Sequence, residues 1–352
     1  MLVEKLEEKS SFNNVIRTEL TPYVKRIDQQ AFYAENYLRK LGEEGYFDTS
    51  QVPKEQAIQQ RIILIEETAK VCMTTAFCLW CHFAATTYVE NSTNTTLRKT
   101  LLPKLYHGEL LAGTGLSNPL KAFSNIEKLH LEAKKVPGGY KINGALPAVS
   151  NIEKDHAFAF IAKEDEGRTI MGFIRCDVNG MTLNQRTEYL GLNGSATYSC
   201  SFQDVFLPED NIIAYDAEAF VQSIRSLFVS YQIPLGFGVS AACIESIKKI
   251  SEKNKSLHEL LQIQPVDLEV KYEMLRKRLC KQIRMKCTDW KEIVALRLDV
   301  VHFTLEAVQA NMIHTGGSGY LQSSSAARKL REAYFLVNLT PTVKHLELLK
   351  RA

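Results

Sequence analysis

Lys128-Leu-His-Leu-Glu-Ala-Lys-Lys-Val-Pro-Gly-Gly-Tyr-Lys-Ile-Asn-Gly144 is where the periodicity of the chain changes. Lys128–Ala133 alternates apolar with polar residues, the period of a half-buried strand. Pro137-Gly138-Gly139 is a turn, and Tyr140-Lys-Ile-Asn-Gly144 ends on a turn dipeptide. Further on, Ala157–Ala162 and Met171–Arg175 are apolar runs of strand length. Tyr198–Leu207 alternates through Tyr198, Cys200, Phe202 and Val205 until Pro208-Glu-Asp closes it. These segments predict an antiparallel β unit over residues 109–214, an ordinary domain size.

On both sides the pattern is helical. Leu38, Leu41 and Gly42, followed by Gly45, read as a helix that ends at glycine. Pro53-Lys-Glu opens another with proline in its first turn, and Ile58, Ile62, Ile65 and Ala69 share one face. Leu101, Leu102 and Leu105 lead to a stop at Gly108. Beyond Asp216 the stretches Val221–Lys253, Leu268–Cys287, Trp290–Ile313 and Arg328–Asn338 carry helical spacing. The expected fold class is α+β: an N-terminal helical domain (1–108), a central β domain (109–214) and a C-terminal helical bundle (215–352).

Composition removes several function classes. Of 352 residues 45% are hydrophobic and 24% charged, which supplies a core without disulfide or metal staples. With 43 basic and 40 acidic residues the net charge is +3, so bulk electrostatics point to no nucleic-acid partner. The basic run Lys271–Lys286 alternates with apolar residues at helical spacing and reads as a solvated helix face. The eight cysteines are scattered, and the charged N-terminus lacks the apolar core of an export signal, so the cytoplasm is the expected location. Val71–Val89 has no charge and the length of a membrane span. Its four threonines and His82, in a segment that stands alone, predict a helix buried in protein instead.

Short motifs follow in a fixed order. Leu116-Ser-Asn-Pro119 opens the β unit. Ala148-Val-Ser-Asn151 and Asp155-His-Ala157 come next, then Leu190-Gly-Leu-Asn-Gly-Ser195 and Phe202-Gln-Asp-Val-Phe-Leu-Pro208. Gly316-Gly-Ser-Gly-Tyr320 and Arg331-Glu332 lie near the end. Singly, each is a turn or a strand end. In this order and spacing they resemble the acyl-CoA dehydrogenase superfamily of flavoproteins, including its oxygenase-like branch, over essentially the whole chain. The resemblance implies an N-terminal helical domain, a central β domain and a C-terminal four-helix bundle. It also implies FAD held between the last two, and a homodimer or homotetramer whose neighbouring subunit completes each flavin site.

Carried over by position, Leu116 and Ser117 fall on the family's Val-Thr pair at the flavin ring. Val149 and Ser150 fall on the Ile-Thr that meets the flavin N5 edge. Gly316 and Gly317 fall on the turn beside the diphosphate or adenosine, and Thr342 on a flavin-contacting Thr. Serine hydroxyls supply the donors that a buried flavin edge needs, and glycine admits close backbone approach. The departures are as specific. Leu120-Lys-Ala-Phe-Ser-Asn125 replaces a glycine-rich phosphate loop, Ala148 a Trp that covers the flavin, and Ile313 a Gln. Lys253-Asn-Lys-Ser-Leu257 replaces an Arg-x-x-Phe-Gly element. The expected cofactor is FAD, with FMN or no flavin as alternatives.

The family's catalytic Glu falls on Thr340, in Thr340-Pro-Thr342. A weak carbon acid needs a carboxylate base, which Thr is not. Ile224–Gly236, where other members carry the base, has no carboxylate either. Cys78-Leu-Trp-Cys81-His82 has the form of a haem-attachment motif. In mid-helix it reads as two core cysteines and a core histidine, with no metal. Its likeness to a pocket-lining helix of the oxygenase-like branch makes His82 the candidate pocket donor. Three functions stay open: a flavin-dependent dehydrogenase of an acyl-CoA-like or other small organic substrate, a monooxygenase supplied with reduced flavin by a flavin reductase, and a non-catalytic binding protein.

Overall fold

The computed structural model describes residues 11–164, 167–252 and 255–351. Among the described residues the N-terminal part is helical from residue 11 and includes α1 (Val24–Gln29), α2 (Glu35–Glu43), α3 (Lys54–Val71), α4 (Met73–Asn91) and α5 (Thr95–Tyr106). Pro53 precedes α3, whose Ile58, Ile62, Ile65 and Ala69 are buried. Every residue of α4 from Met73 to Val89 is buried. The helix tolerates its threonines because Thr86 and Thr87 donate to the carbonyls of His82 and Phe83, one turn back.

The sheet has the order β6–β7–β3–β2–β4–β5–β8, with β1 paired to β4. Its strands are β1 (Ala112–Thr114), β2 (Leu131–Val136), β3 (Gly139–Val149), β4 (Ala157–Glu164), β5 (Thr169–Arg175), β6 (Met181–Gln185), β7 (Tyr198–Pro208) and β8 (Ile212–Ala214). The purely antiparallel expectation is corrected here. β1 and β2 both run parallel to β4, and the other pairings are antiparallel. Central β4 is covered on both faces. Ala157, Ala159 and Ile161 belong to the helical core, whereas Phe158, Phe160 and Ala162 belong to a core on the far side of the sheet. That double burial explains its unbroken apolar run. A short helix α6 (Ser117–Ala122) follows β1.

The C-terminal part holds α7 (Ala217–Ser230), α8 (Ile233–Ser251), α9 (Lys255–His258), α10 (Pro265–Arg284), α11 (Trp290–Thr315), α12 (Ser325–Asn338) and α13 (Val343–Arg351). The single helix expected over Val221–Lys253 is two, because Pro234 takes the first turn of α8 and the chain breaks at Tyr231-Gln232. α8 packs tightly on α11: a Cβ at Gly236 would lie 2.6 Å from Thr304 Oγ1. The basic run on α10 is less solvated than expected. Lys271 pairs with Glu306, Arg276 with buried Glu66 on α3, and Arg278 with Glu292 and Asp299.

Candidate functional site

The sheet and the C-terminal helices meet where α6 faces the turn between α12 and α13. Ser117 Oγ lies 2.9 Å from Thr340 Oγ1, a hydrogen bond that joins residues 223 positions apart. The Thr340 carbonyl accepts from Gln232 Nε2 (2.9 Å), and Gln232 Oε1 accepts from Arg297 Nε (3.1 Å). Arg297 also donates to the Leu336 carbonyl (3.2 Å). Its guanidinium is 1% exposed, and burial alone pulls its pKa down to about 9. It is thus bonded to an amide and a backbone carbonyl rather than to a carboxylate, and it reaches the Thr340 turn through Gln232.

A second contact closes the same face. Ser124 Oγ is 2.7 Å from His345 Nε2. Burial, aided by Lys121, lowers the His345 pKa, and its Nδ1 is buried with no partner. Thr342 Oγ1 accepts the His345 N–H and so caps α13.

Ser150 stands at the end of β3, where Thr114 bridges to it. Asn151 turns the chain there with φ of 62°. Ser150 Oγ is 2.7 Å from Thr197 Oγ1, which is 2.8 Å from Ser195 Oγ. Three hydroxyls joined by two bonds keep one O–H to spare, and Ser117 with Thr340 keeps another. Ser117 lies three residues beyond Thr114, the residue that bridges to Ser150.

The other candidate residues fall differently. Leu116 and Val149 are core side chains, 1% and 0% exposed, so only their backbones can face a ligand. Gly316 and Gly317 form an exposed turn where an added Cβ would meet nothing within 4 Å. That turn precedes α12 and Thr340 follows it, so about 21 Å of helix separates them. Exposed Ile313, Tyr320 and Leu321 surround it. Lys253 and Asn254 lie outside the described residues. His82 does not face a pocket. It is fully buried, its Nε2 meets the Leu105 carbonyl (3.1 Å), and its Nδ1 accepts from Ala112 N (3.3 Å). Burial lowers its pKa to about 3 and keeps it neutral.

A flavin's polar edge accepts from donors such as the spare hydroxyls at Ser117 and Ser150, and space is open at the glycine turn. Exposed Ala148 leaves uncovered the face where the family places Trp. Sequence reading had missed Gln232, Arg297, Thr197 and His345. Only Arg297 carried a signal: it shares a helical face with Ile293, Val300 and Val301.

Comparison with known proteins points one way. The acyl-CoA dehydrogenase N-terminal domain family matches residues 4–109. A mitochondrial isovaleryl-CoA dehydrogenase of Arabidopsis thaliana is 24% identical over 94% of this chain and 86% of its own. The structure of a glutaryl-coenzyme A dehydrogenase with glutaryl-CoA superposes with a TM-score of 0.89 at 18% identity, over 99% of this chain and 94% of that one. PigA with FAD and proline superposes at 0.83 and 16% identity, over 97% and 94%.

Proposed function

The chain belongs to the acyl-CoA dehydrogenase superfamily, and from that premise we propose a flavin-dependent oxidoreductase that works without the family's carboxylate base. The observation that carries this reading is the Ser117–Thr340 bond. The position of the usual base holds a hydroxyl, which is turned onto a flavin-edge residue and anchored from behind by Gln232. A hydroxyl does not ionise near neutral pH and cannot take an α-proton from a thioester.

FAD, when bound, supplies two-electron oxidation and, once reduced, reactivity with oxygen. The chain's own part is to hold it. Ser150 and Ser117 would offer their spare O–H groups to the polar edge, the backbone at Leu116 and Val149 would stand beside the ring, and the Gly316-Gly317 turn would leave room for the distal half. The substrate is an acyl-CoA-like or other small organic molecule whose oxidation needs no carboxylate at Thr340. That requirement favours reaction of reduced flavin with oxygen, with a reductase as partner, over ordinary dehydrogenation. A homo-oligomer is part of the proposal, supported by the exposed stripe Val266, Val270 and Met274 along α10. The eight cysteines are unpaired, in keeping with a reducing compartment.

Flavin titration, followed by absorbance and fluorescence, tests the holding residues. Wild type should bind FAD in its oxidised or chemically reduced form, and Ser150→Ala should weaken binding about tenfold, the worth of one hydrogen bond. Failure to bind FAD, or equal affinity in the variant, would remove the reading.

A further inference from the structure

A cluster away from the hydroxyls has the form of a metal centre. Glu35 opens α2, while Asp155 and His156 lie just before β4. One ligand atom from each, a carboxylate oxygen of Glu35, a carboxylate oxygen of Asp155 and a ring nitrogen of His156, lies within 4.8 Å of the others. His156 is 0% exposed. Its Nδ1 faces the Asn151 carbonyl at 3.4 Å, an acceptor only, so the ring proton belongs there. Nε2 is buried and has no hydrogen-bond partner. It points at Glu35 Oε1 (3.6 Å) and Asp155 Oδ1 (3.9 Å).

Three possible ligand atoms, two of them on carboxylates, thus lie close together, with His156 Nε2 too far from either oxygen for a hydrogen bond. Bound at about 2.0–2.2 Å, tetrahedral ligands stand about 3.3 Å apart, so the two histidine–carboxylate separations would shorten by about 0.3–0.6 Å and the carboxylate pair by up to about 1.5 Å. The nitrogen–carbonyl contact behind the imidazole is the usual outer support of a metal-bound histidine. Arg39 braces the set: Nε donates to Glu35 Oε1 (2.7 Å), the oxygen that also faces His156, Nη2 to Asp155 Oδ2 (2.8 Å), and Nη1 to the Gly108 and Glu109 carbonyls. It holds both carboxylates in place yet cancels only one of their two charges. Asp155 is 62% exposed at its side chain, which leaves an entry path and room for a water ligand.

We propose that Glu35, Asp155 and His156 bind one divalent transition metal ion of the zinc class. The mixed nitrogen and carboxylate donors suit zinc, cobalt(II) or manganese(II) better than magnesium or calcium, which prefer oxygen alone. The ion would tie α2 to the loop that carries Ser150 and Asn151. Tyr33 already braces that loop, since its hydroxyl donates to Asn151 Oδ1 (2.7 Å) and its ring packs edge-on against His156.

The test uses full-length protein stripped with chelator, in a Cys280→Ser background because Cys280 is the exposed thiol among the eight. Equilibrium dialysis against zinc should give one ion per chain, and cobalt(II) should give visible bands of a nitrogen–oxygen site. Asp155→Asn, at an exposed position where folding is safe, should weaken binding at least tenfold. His156→Gln should abolish it, and zinc should raise the melting temperature of wild type alone. Zinc uptake that neither variant changes would overturn the proposal. So would its absence in wild type.

Discussion

Gln232→Leu gives the sharpest view of how the Thr340 turn is held. The substitution removes an acceptor from Arg297 Nε and a donor from the Thr340 carbonyl. Gln232 is 0% exposed, so water cannot replace either bond. Losing a hydrogen bond to a charged group costs about 1.5–3 kcal/mol, and stranding a buried carbonyl about 1–3 kcal/mol. The sum is about 2.5–6 kcal/mol, or roughly 3–8 °C in melting temperature for a chain of this length. The assay is urea unfolding of Gln232→Leu, Arg297→Met and the double variant. If the stranded guanidinium causes most of the damage, removing it as well should recover part of the loss. The double variant should therefore be more stable than the summed single effects by at least about 1 kcal/mol. Additivity within about 0.5 kcal/mol would refute the relay from Arg297 to Thr340.

Other perturbations read other parts of the account. His82 has a folded pKa of about 3 against an ordinary 6.5, so below pH 6.5 the unfolded chain binds the extra proton and stability falls as pH drops towards 3. The loss is up to about 5 kcal/mol, and acid titration of His82→Gln should lack that component. Gly113→Ala would place a Cβ 2.3 Å from the Ser150 carbonyl, so it should cost about 1–3 kcal/mol in denaturant unfolding and weaken flavin binding together. His345→Phe should leave the fold intact, because the ring's Nδ1 has no partner to lose, while freeing Ser124. Thermal unfolding should then shift by less than about 1 kcal/mol.

The order of helix, sheet and helix was legible because β3, β4 and β7 alternate or run apolar and because glycine and proline mark the helix ends. The three-residue strands β1 and β8 are too short to show a period, and their parallel or edge pairing depends on distant partners. The break at Tyr231-Gln232 was hidden because apolar residues continue through it. Ser117, Ser150 and Thr340 were singled out from sequence, but not the bond that joins Ser117 to Thr340 nor the partner of Ser150. The bond from Ser117 to Thr340 spans 223 positions, and Thr197 looks like any strand-end threonine. His82 misled because a motif shows residue types and not which ring nitrogens are already occupied. Glu35 and His156 lie more than a hundred residues apart, so no local spacing could pair them.

The central claim is that a flavin bound here meets no α-proton base. The direct measurement is the absorption spectrum of the FAD-loaded protein, mixed without oxygen with a saturated acyl-CoA. The account predicts an unchanged oxidised-flavin band over minutes and full bleaching when a chemical reductant is then added. Bleaching by the acyl-CoA itself, at about 1 per second or faster as for ordinary enzymes, would contradict it.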